Sequence, residues 1–548
     1  MSKNKILFLI IIALALSLRF FQLGTNPPSL TWDEVAWGYN AYSLGIDGKD
    51  EFGRFLPHDY LESFGDFKPP MYAYLTVLPV LLWGLTEFAV RFPSAFFGSL
   101  SVIFTYFLVK QLFKDSKNKE SYALLSAFLL AISPWHIMLS RAAFEANVAS
   151  FFIIAGGFFF LKGVQERMLW ILVAAIFFVA SLYTFNSARI AAPLIALLLG
   201  VSSYKIFLKK KKMTLLALFV GFFLTLPILG FLLSPQASLR FKEVNIFTDS
   251  KVVEMANQQI ANNDNALWSK VVHNRRVGYA RSYIKHYFDH FNFDFLFIKG
   301  DGNVKFSTQD VGSMYLWELP FFIAGILYLV RKKEGKWWIV PLWILVAIIP
   351  AGTARETPHA LRIENALPMF QILTAYGIVS LYGLGKSLLK NHSKLFMLFP
   401  TLTSILCIFF LTYFLHGYYF HYPREFSGEW QYGYKEALAY INAEKNNYDE
   451  VRMTTELGRP HEYYLFYSKT DPEVFRNNSS VERDPFGFVN VDRVENVIFG
   501  SDEINKKSDT KKILVVEIPR KIPDQHIKLR EFYLKNGEVA LVAYTFEE

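Results

Sequence analysis

The chain is poor in cysteine and in charge. Its single cysteine, Cys407, excludes an internal disulfide and a metal site built from several cysteines. Charged residues make up 19% of the 548 positions, whereas 52% are hydrophobic and 17% are aromatic, which excludes an ordinary soluble protein of this length. The net charge of +9 does not indicate a nucleic-acid partner, because the basic residues cluster at the ends of apolar runs. The sequence also contains no internal repeat and no low-complexity tract.

What the chain has is a series of long apolar runs. A helix that crosses a bilayer needs about 20 such residues, and several runs meet or approach that length. The predicted spans are 5–22, 88–110, 121–134, 147–162, 168–185, 188–206, 213–233, 314–330, 337–352, 368–387 and 395–417. The fold class predicted from this pattern is a polytopic α-helical membrane protein of the cell membrane, with about eleven transmembrane helices.

A further apolar run, 69–85, decides the topology. If this run lies in the interface, the basic clusters between the spans all fall on one side of the membrane, whereas a crossing would move every cluster after the first. We therefore predict a non-crossing interfacial helix at 69–85 and a cytoplasmic N-terminus. The N-terminus also resembles a secretory signal, with "ALA" at 13–15, but the hydrophobic run continues past that point, and we predict a retained first span. Pro69 and Pro70 suit the start of this helix.

This topology puts most of the polar sequence outside the cell. The inner face receives only short basic turns, whereas four loops face outward: 23–87, 134–146, 234–313 and 351–367. After about residue 420, "YGYKEALAYINAEK" has helical spacing, and "DEVRMTTE", "KKILVVEIP" and "EVALVAYTF" resemble strands. We therefore predict a transmembrane domain over 1–420, a small extracytoplasmic α/β domain over 421–548, and an active site on the outer side.

The first outer loop contains two adjacent acids in "SLTWDEVAWGYN". Thr31 and Glu34 fit a helix capping box, in which each side chain accepts a hydrogen bond from the backbone of the other residue. Acids in a first helical turn also suit the helix dipole. A cap explains Glu34 better than Asp33, and Asp33 is therefore the stronger candidate for chemistry.

Other charged residues lie near predicted membrane boundaries, where charge is costly unless it is paired or functional. They are Asp66, Lys68, Arg141, Glu145, His359 and Arg362. Each also has an ordinary interpretation. Lys68 and Arg362 can extend toward lipid headgroups. Arg141 and Glu145 can form an i,i+4 pair, and a loop histidine often has no special role. As a set, they fit transfer from a phosphate-linked lipid, in which a carboxylate deprotonates an acceptor and cations hold the departing phosphate.

Several motifs follow one another in a familiar order. The acidic pair of the first outer loop precedes "KPPMYAYL" and "EFAVRFPSAFFGSLSVIFTYFLVKQLF", and then come "LLAISPWHIMLSRAAFEAN" and "LYTFNSARI". This combination resembles the protein O-mannosyltransferase-like branch of the GT-C glycosyltransferases, which also includes the lipid A aminoarabinose transferases. The resemblance covers about residues 5–420 and is strongest over 30–190.

The resemblance implies a GT-C fold and an outer-side enzyme that moves a sugar from a polyprenyl-phosphate donor, usually with inversion at the anomeric carbon. A nucleotide sugar would not be available there, and no D-x-D motif on a soluble Rossmann-like domain is present. The implied partners are the polyprenyl-phosphate sugar, the lipid bilayer and an extracytoplasmic acceptor, which is a protein, a glycolipid or a polysaccharide.

The resemblance also implies roles for single residues. Asp33 matches the first-loop acid that acts as base or positions the acceptor, and Glu145 in "RAAFEAN" matches the second-loop acid. Lys68 in "KPP" matches a lysine that holds the lipid phosphate. The catalytic candidates are thus Asp33, Glu34 and Glu145. The phosphate-binding candidates are Lys68, Arg362, His359 and Arg141.

The resemblance leaves open whether the protein binds a divalent metal. The lipid A aminoarabinose transferases have a glutamate just before the lysine of "KP", where this chain has Phe67, with Asp66 one position further back. A divalent metal therefore stays open, with Asp33 and Asp66 as its candidate ligands, and no other cofactor is expected.

Two rival classes explain less of the sequence. A transporter or lipid flippase without transferase activity tends to place charges and broken helices near the bilayer midplane and to show repeated halves. A non-catalytic scaffold would leave the charges of the outer loops unexplained. The enzyme hypothesis makes a geometric prediction, that four residues converge on one outward cavity: Asp33, Lys68, Glu145 and Arg362.

Overall fold

The structure, a computed structural model, describes residues 2–237, 245–483, 489–500, 504–508 and 510–547. Its α-helices are α1 (Lys3–Phe20), α2 (Trp32–Asp47), α3 (Met71–Trp83), α4 (Glu87–Leu112), α5 (Lys119–Ile132), α6 (Pro134–Arg141), α7 (Glu145–Gln165), α8 (Trp170–Leu182), α9 (Ala188–Val201), α10 (Tyr204–Lys209), α11 (Lys211–Leu232), α12 (Ser250–Ala261), α13 (Leu267–Val272), α14 (Arg275–Asp289), α15 (Leu319–Lys332), α16 (Ile339–Ile348), α17 (Met369–Leu388), α18 (Ser393–His416), α19 (Tyr422–Glu425), α20 (Tyr434–Glu444), α21 (Pro460–Ser468) and α22 (Pro472–Asn478). Its strands are β1 (Leu61–Ser63), β2 (Asp66–Lys68), β3 (Glu450–Met453), β4 (Ser479–Arg483), β5 (Val489–Val494), β6 (Val497–Phe499), β7 (Ile513–Glu517), β8 (Ile527–Tyr533) and β9 (Val539–Thr545).

The chain divides into two compact units by its internal contacts. Unit 1 comprises Met1–Arg19, Phe97–Ser140 and Glu145–Phe414. Unit 2 comprises Phe20–Phe96, Arg141–Phe144 and Leu415–Glu548. The predicted division separates residues before and after about 420, whereas unit 2 combines Phe20–Phe96 with the C-terminal segment Leu415–Glu548.

Unit 1 is a bundle of apolar helices around α7. Nearly all of α7 is buried, and it packs against α8 and α9. The helices α15 and α17 approach each other closely at two glycines. A Cβ atom on Gly325 or on Gly377 would collide with a backbone carbonyl of the other helix. Small residues of this kind let membrane helices pack backbone to backbone.

A helix overlaps each of the eleven predicted spans, and some helices begin or end a few residues outside the predicted bounds. Among the described residues, five helical segments are long and apolar enough to cross a membrane, or six if the pair α5 and α6, bent by 56°, is one span. Others, such as α8 and α9, are apolar but shorter. The membrane-helix fold is thus confirmed, while the number of crossings and the orientation of the termini stay predictions.

Two of the long helices expose most of their apolar surface. Within the apolar windows of α11 and α18, only 17% and 6% of the residues are buried. Exposed leucine and phenylalanine side chains on α11 include Leu218, Phe219 and Phe222. A helix satisfies its own backbone hydrogen bonds, and such an apolar exterior is therefore what a lipid environment solvates.

Unit 2 contains a seven-stranded sheet in the order β4-β5-β6-β3-β7-β9-β8. The central strand β3 is parallel to β6 and to β7, and the remaining pairs are antiparallel. The predicted strands in "DEVRMTTE", "KKILVVEIP" and "EVALVAYTF" correspond to β3, β7 and β9, and the predicted helix after residue 432 corresponds to α20. The C-terminal sheet domain is confirmed, but β4, β5, β6 and β8 were not predicted.

The apolar run at 69–85 forms the short helix α3, which packs against α2 within unit 2. Pro70 directly precedes its first residue, as predicted. Thirteen residues span about 20 Å as a helix, less than the hydrocarbon core of about 30 Å. This length agrees with an interfacial helix, although the side on which the chain continues stays a prediction.

Candidate active site

The capping box predicted at the start of α2 is present. The Thr31 hydroxyl accepts a hydrogen bond from the Glu34 backbone N–H at 3.3 Å, and the Thr31 N–H donates to the Glu34 carboxylate at 2.9 Å. The box fixes the first turn of the helix, and with it the position of Asp33.

The Glu34 carboxylate also binds two segments that are distant in sequence. The Nε atom of Arg91 on α4 donates to Glu34 Oε1 at 2.8 Å, and the backbone N–H of Ala143 donates to the same oxygen at 3.0 Å. Both side chains of this ion pair are almost entirely buried. Arg91 in turn donates to the carbonyls of Pro27 and Ser29. Glu34 is therefore a junction of three chain segments, and its hydrogen-bonding capacity is largely used in the fold.

Asp33 and Lys68, two of the predicted site residues, form an ion pair. Lys68 Nζ lies 2.5 Å from Asp33 Oδ1. The Lys68 side chain is only 7% exposed, whereas the Asp33 side chain is 49% exposed. Asp33 sits in the first turn of α2 and Lys68 ends β2. A buried ammonium thus holds a carboxylate that remains open to a substrate.

Aromatic rings surround the Lys68 ammonium. Its Nζ atom lies 4.2 Å from the centroid of Phe64 and 5.0 Å from that of Trp37. The guanidinium of Arg459, from the C-terminal part of unit 2, lies 4.9 Å from the centroid of the same Phe64 ring. Ring faces attract cations, and Phe64 and Trp37 therefore favour an ammonium group at this position.

Two buried acids of unit 2, Glu51 and Glu462, were not identified from the sequence. Glu51 accepts hydrogen bonds from the Asn40 amide at 2.8 Å and from the Phe64 N–H at 2.9 Å. Burial, reinforced by the charge of Glu462, raises the pKa of Glu51 well above its usual range. Lys68 acts on this pKa in the opposite direction. No local motif marks either acid, because Glu51 lies in a loop and Glu462 lies in α21.

Arg141 connects three segments of unit 2 through its guanidinium. Its Nη2 atom donates to the carbonyls of Phe21 at 2.7 Å and Asn26 at 2.9 Å, and its Nε atom donates to the Tyr418 hydroxyl at 3.3 Å. Arg141 ends α6 and Glu145 begins α7. The two residues are therefore not on one helix, and the i,i+4 pair considered from the sequence stays a prediction.

Asp66, the other candidate metal ligand, is buried in β2 and pairs in register with Ser63 of β1. Within the described ranges, no group of three or more histidine, cysteine, aspartate or glutamate side chains is arranged to hold a metal ion. A metal bound by Asp33 and Asp66 therefore stays a prediction.

The remaining predicted site residues belong to unit 1, in or next to the loop 351–367. This loop is anchored by two tryptophans, since Trp135 Nε1 donates to the Ala360 carbonyl at 3.1 Å and Trp343 Nε1 donates to the Asn365 carbonyl at 2.9 Å. The loop carries His359 and Arg362 and faces Asp301, an acid that sequence reasoning missed.

Asp301 connects two loops through its carboxylate. It accepts the Asn303 N–H at 2.8 Å and the Ala360 N–H at 2.6 Å. Burial raises its pKa to about 6, although the charge of Arg362 acts in the opposite direction. An acid with such a pKa can exchange a proton near neutral pH.

His359 lies beside Asp301 but is not its ion-pair partner at neutral pH. The two side chains approach to 3.9 Å between Nδ1 and Oδ2. Burial, with the charges of Arg362 and His290, lowers the pKa of His359 to about 3. The pKa of the neighbouring His290 falls to about 4, chiefly because of burial. Both imidazoles are therefore neutral at pH 7 and can act only as hydrogen-bonding groups.

Glu145 begins α7 and interacts electrostatically with Glu364, which follows Arg362 in the loop. Both carboxylate oxygens of Glu364 are buried without a hydrogen-bond partner among the described residues. Near Asp301 a polar cavity of about 350 Å³ is lined by side chains of both charges, among them Lys285, His286, Asp301, Arg355, Glu356 and His359.

The predicted site residues thus form two groups. Asp33, Glu34, Lys68 and Arg141 belong to unit 2, and Glu145, His359 and Arg362 belong to unit 1. Within unit 2 the structure brings Asp33 to Lys68, and within unit 1 it brings Arg362 into the electrostatic reach of His359. The convergence of both groups on one cavity stays a prediction.

Comparison with known proteins shows what this chain is similar to. Residues 67–231 match the family model described as dolichyl-phosphate-mannose-protein mannosyltransferase. A protein of Aquifex aeolicus (strain VF5), described as uncharacterized, is 30% identical over 148 residues. That match covers 27% of this chain and 27% of the curated relative, well under two thirds of its length.

Solved structures extend the likeness to the whole fold. ArnT from Cupriavidus metallidurans, solved in the apo state and bound to undecaprenyl phosphate, matches with a TM-score of 0.53 and 12% identity over 99% of this chain and 98% of its own. The Archaeoglobus fulgidus oligosaccharyltransferase in the apo form matches with a TM-score of 0.51 and 14% identity over 85% of this chain and 64% of its own. These findings confirm the resemblance to the GT-C, mannosyltransferase- and ArnT-like membrane proteins.

Proposed function

We propose that this chain is an integral membrane glycosyltransferase that transfers a sugar from a polyprenyl-phosphate donor to an acceptor outside the cytoplasm, with inversion. The observation that carries the proposal is the Asp33–Lys68 pair, in which a half-exposed carboxylate touches a buried ammonium. The family match over residues 67–231 and the shared fold support the same class. The undecaprenyl phosphate bound to ArnT supports a lipid phosphate as the carrier.

In the proposed reaction, Asp33 accepts the proton of an acceptor hydroxyl. The acceptor oxygen forms a bond to the anomeric carbon while the bond from that carbon to the phosphate oxygen breaks. The electron pair of that bond leaves with the polyprenyl phosphate. A single displacement of this kind inverts the anomeric centre.

Lys68 has two successive partners in this mechanism. Before the donor binds, its ammonium is paired with Asp33 at 2.5 Å. A donor phosphate competes for the same ammonium, and the Asp33 carboxylate that it releases is more basic than the paired one. Donor binding thereby prepares the base. Because Lys68 is buried against Phe64 and Trp37, its charge is weakly screened and stabilises the developing phosphate charge.

The roles that the family resemblance implies for Arg362, His359 and Glu145 stay predictions, because these residues belong to unit 1, whereas Asp33 and Lys68 belong to unit 2. Glu34 and Arg141 are assigned as positioning residues, because their charged groups are already bound to Arg91 and to backbone carbonyls.

The test uses the purified full chain and a panel of polyprenyl-phosphate sugars, with release of free polyprenyl phosphate as the readout. We expect release from at least one donor by the native protein. Asp33→Asn should reduce this release by at least about a thousandfold, because the group that accepts the proton and its negative charge beside Lys68 are lost together. Donor binding should be retained, because Lys68 is intact.

Asp115→Asn is the matched control, since Asp115 is an exposed aspartate in a turn far along the chain from the proposed base. It should release polyprenyl phosphate at the native rate. Full activity of Asp33→Asn would exclude Asp33 as the base. Translocation of the lipid without release from any donor would instead support the transporter alternative.

A further inference from the structure

The C-terminal part of unit 2 contains a polar cavity of about 400 Å³ that the proposed reaction does not use. Its volume lies in the range of about 300–1,000 Å³ typical of small-molecule sites. Both hydrogen-bond donors and acceptors line it, together with one aromatic ring: Thr455, Arg459, His461, Asn490, Asp492 and Phe499.

The cavity forms where α21 begins beside β5 and β6. Gly458 and Arg459 both adopt positive φ angles, of 85° and 48°, just before the helix starts at Pro460. This tight turn directs the first residues of α21 toward the strands. The cavity is therefore built from two parts of the sheet domain, not from one surface loop.

A buried histidine lines part of this cavity. His461 is only 4% exposed, and its Nε2 atom is buried and lies 3.6 Å from the adjacent Glu462 carboxylate. This atom is therefore not offered to a ligand. The polar groups that the cavity offers come instead from Thr455, Asn490 and Asp492.

Two residues that line the cavity, Gly458 and Arg459, contact neighbours of the Asp33–Lys68 pair. A Cβ atom on Gly458 would lie 3.0 Å from the ring of Trp32, the residue that precedes Asp33. Arg459 stacks on the Phe64 ring that also contacts Lys68. A ligand in the cavity therefore lies beside the elements that hold the proposed base.

The lining chemistry favours a neutral sugar. Arg459 and Asp492 oppose each other in charge, and an anionic ligand would meet the Asp492 carboxylate. The mixture of donors and acceptors suits hydroxyl groups, which both donate and accept, and Phe499 and Pro460 offer an apolar surface to a ring. An extended peptide would need a free strand edge, whereas β5 and β6 are flanked by strands on both sides.

We propose that this cavity binds the carbohydrate part of the acceptor, with sugar hydroxyls bound by Thr455, Asn490 and Asp492. The inference rests on the proposed function, because it names the acceptor of the same transfer reaction as a glycan. It assigns the C-terminal domain a role in choosing the substrate.

The first experiment measures binding alone. The full-length protein is titrated by calorimetry with three neutral trisaccharides, maltotriose, chitotriose and mannotriose, and with a threonine-containing heptapeptide. We expect at least one trisaccharide to bind. Asp492→Asn and Asn490→Ala, on the partly exposed strand β5, should each weaken it by about tenfold. Asp524→Asn, an exposed aspartate elsewhere in the same domain, should bind like the native protein.

The second experiment measures turnover in the same variants. Transfer to the bound trisaccharide should show a KM raised by about tenfold, while hydrolysis of the donor without an acceptor continues at the native rate. Loss of donor hydrolysis in these variants, failure of every trisaccharide to bind, or displacement of the sugar by the peptide would overturn the cavity assignment. Binding that depends on Asp492 without release from any donor would leave a sugar site in place and overturn the proposed function.

Discussion

The start of α2 and the loop 351–367 both bring charged groups together, and their surroundings differ. At the start of α2 each acid meets a cation, Glu34 with Arg91 and Asp33 with Lys68. Around the loop 351–367, burial dominates, so that the pKa of Asp301 rises to about 6 and that of His359 falls to about 3. The first region thus pairs its acids with cations, whereas in the second region burial brings the pKa of an acid close to neutral pH.

The largest effect is expected from breaking the buried pair of the first region. Arg91→Met leaves the Glu34 carboxylate buried without its cation, and breaking such a pair costs about 3–5 kcal/mol of the free energy of unfolding. Thermal unfolding of the purified protein measures this loss. Arg520→Met is the control, because Arg520 is 77% exposed and pairs with Glu456 at the surface, and exposed pairs contribute about 0–1 kcal/mol. Equal losses in the two variants would contradict the distinction between them.

A smaller effect, on turnover, is expected at the other pair of this region. Lys68→Met should lower kcat/KM for the donor by about a hundredfold to a thousandfold, the range for loss of one group that stabilises transition-state charge. The measurement is polyprenyl phosphate release at several donor concentrations. Lys435→Met, which removes an exposed lysine paired with Glu87, should leave this value unchanged. A normal kcat/KM in Lys68→Met would remove Lys68 from the phosphate site.

The smallest effect is a pH dependence in the second region. The folded-state pKa of Asp301 is raised from 3.8 to about 6, and the folded protein therefore binds a proton more tightly than the unfolded chain. The free energy of unfolding should consequently fall as pH rises from about 4 to about 6, by up to roughly 3 kcal/mol from this group. Unfolding temperatures measured across that window test this expectation.

Asp301→Asn should flatten that pH dependence, although its baseline stability also changes because the carboxylate accepts two backbone N–H groups. Asp50 has a similarly raised pKa of about 6, also because of burial, and will contribute a slope of its own. The comparison is therefore between Asp301→Asn and the native protein, with Asp524→Asn as the unchanged control. An unaltered slope in Asp301→Asn would show that Asp301 does not titrate in this window.

Local sequence was enough to predict the Thr31–Glu34 box, the helices of the predicted spans and three of the C-terminal strands. It was not enough for Arg91, which meets Glu34 across 57 residues, or for Glu51 and Asp301, whose raised pKa values come from burial. These properties depend on which distant segments surround a side chain, and no spacing rule encodes that. Lys68 was first noted as a charge near a predicted membrane boundary, and the family resemblance then supplied its expected role.

The junction at Glu34 also has a consequence for the order in which the molecule can be assembled. Its partners Arg91 and Ala143 are synthesised well after it. The Tyr463 hydroxyl donates to the Leu30 carbonyl at 3.0 Å, and Tyr463 follows Leu30 by more than four hundred residues. Asp33 is therefore synthesised before the segments that hold the start of its helix in place. A nascent chain released early would carry the proposed base without the partners that hold it in place.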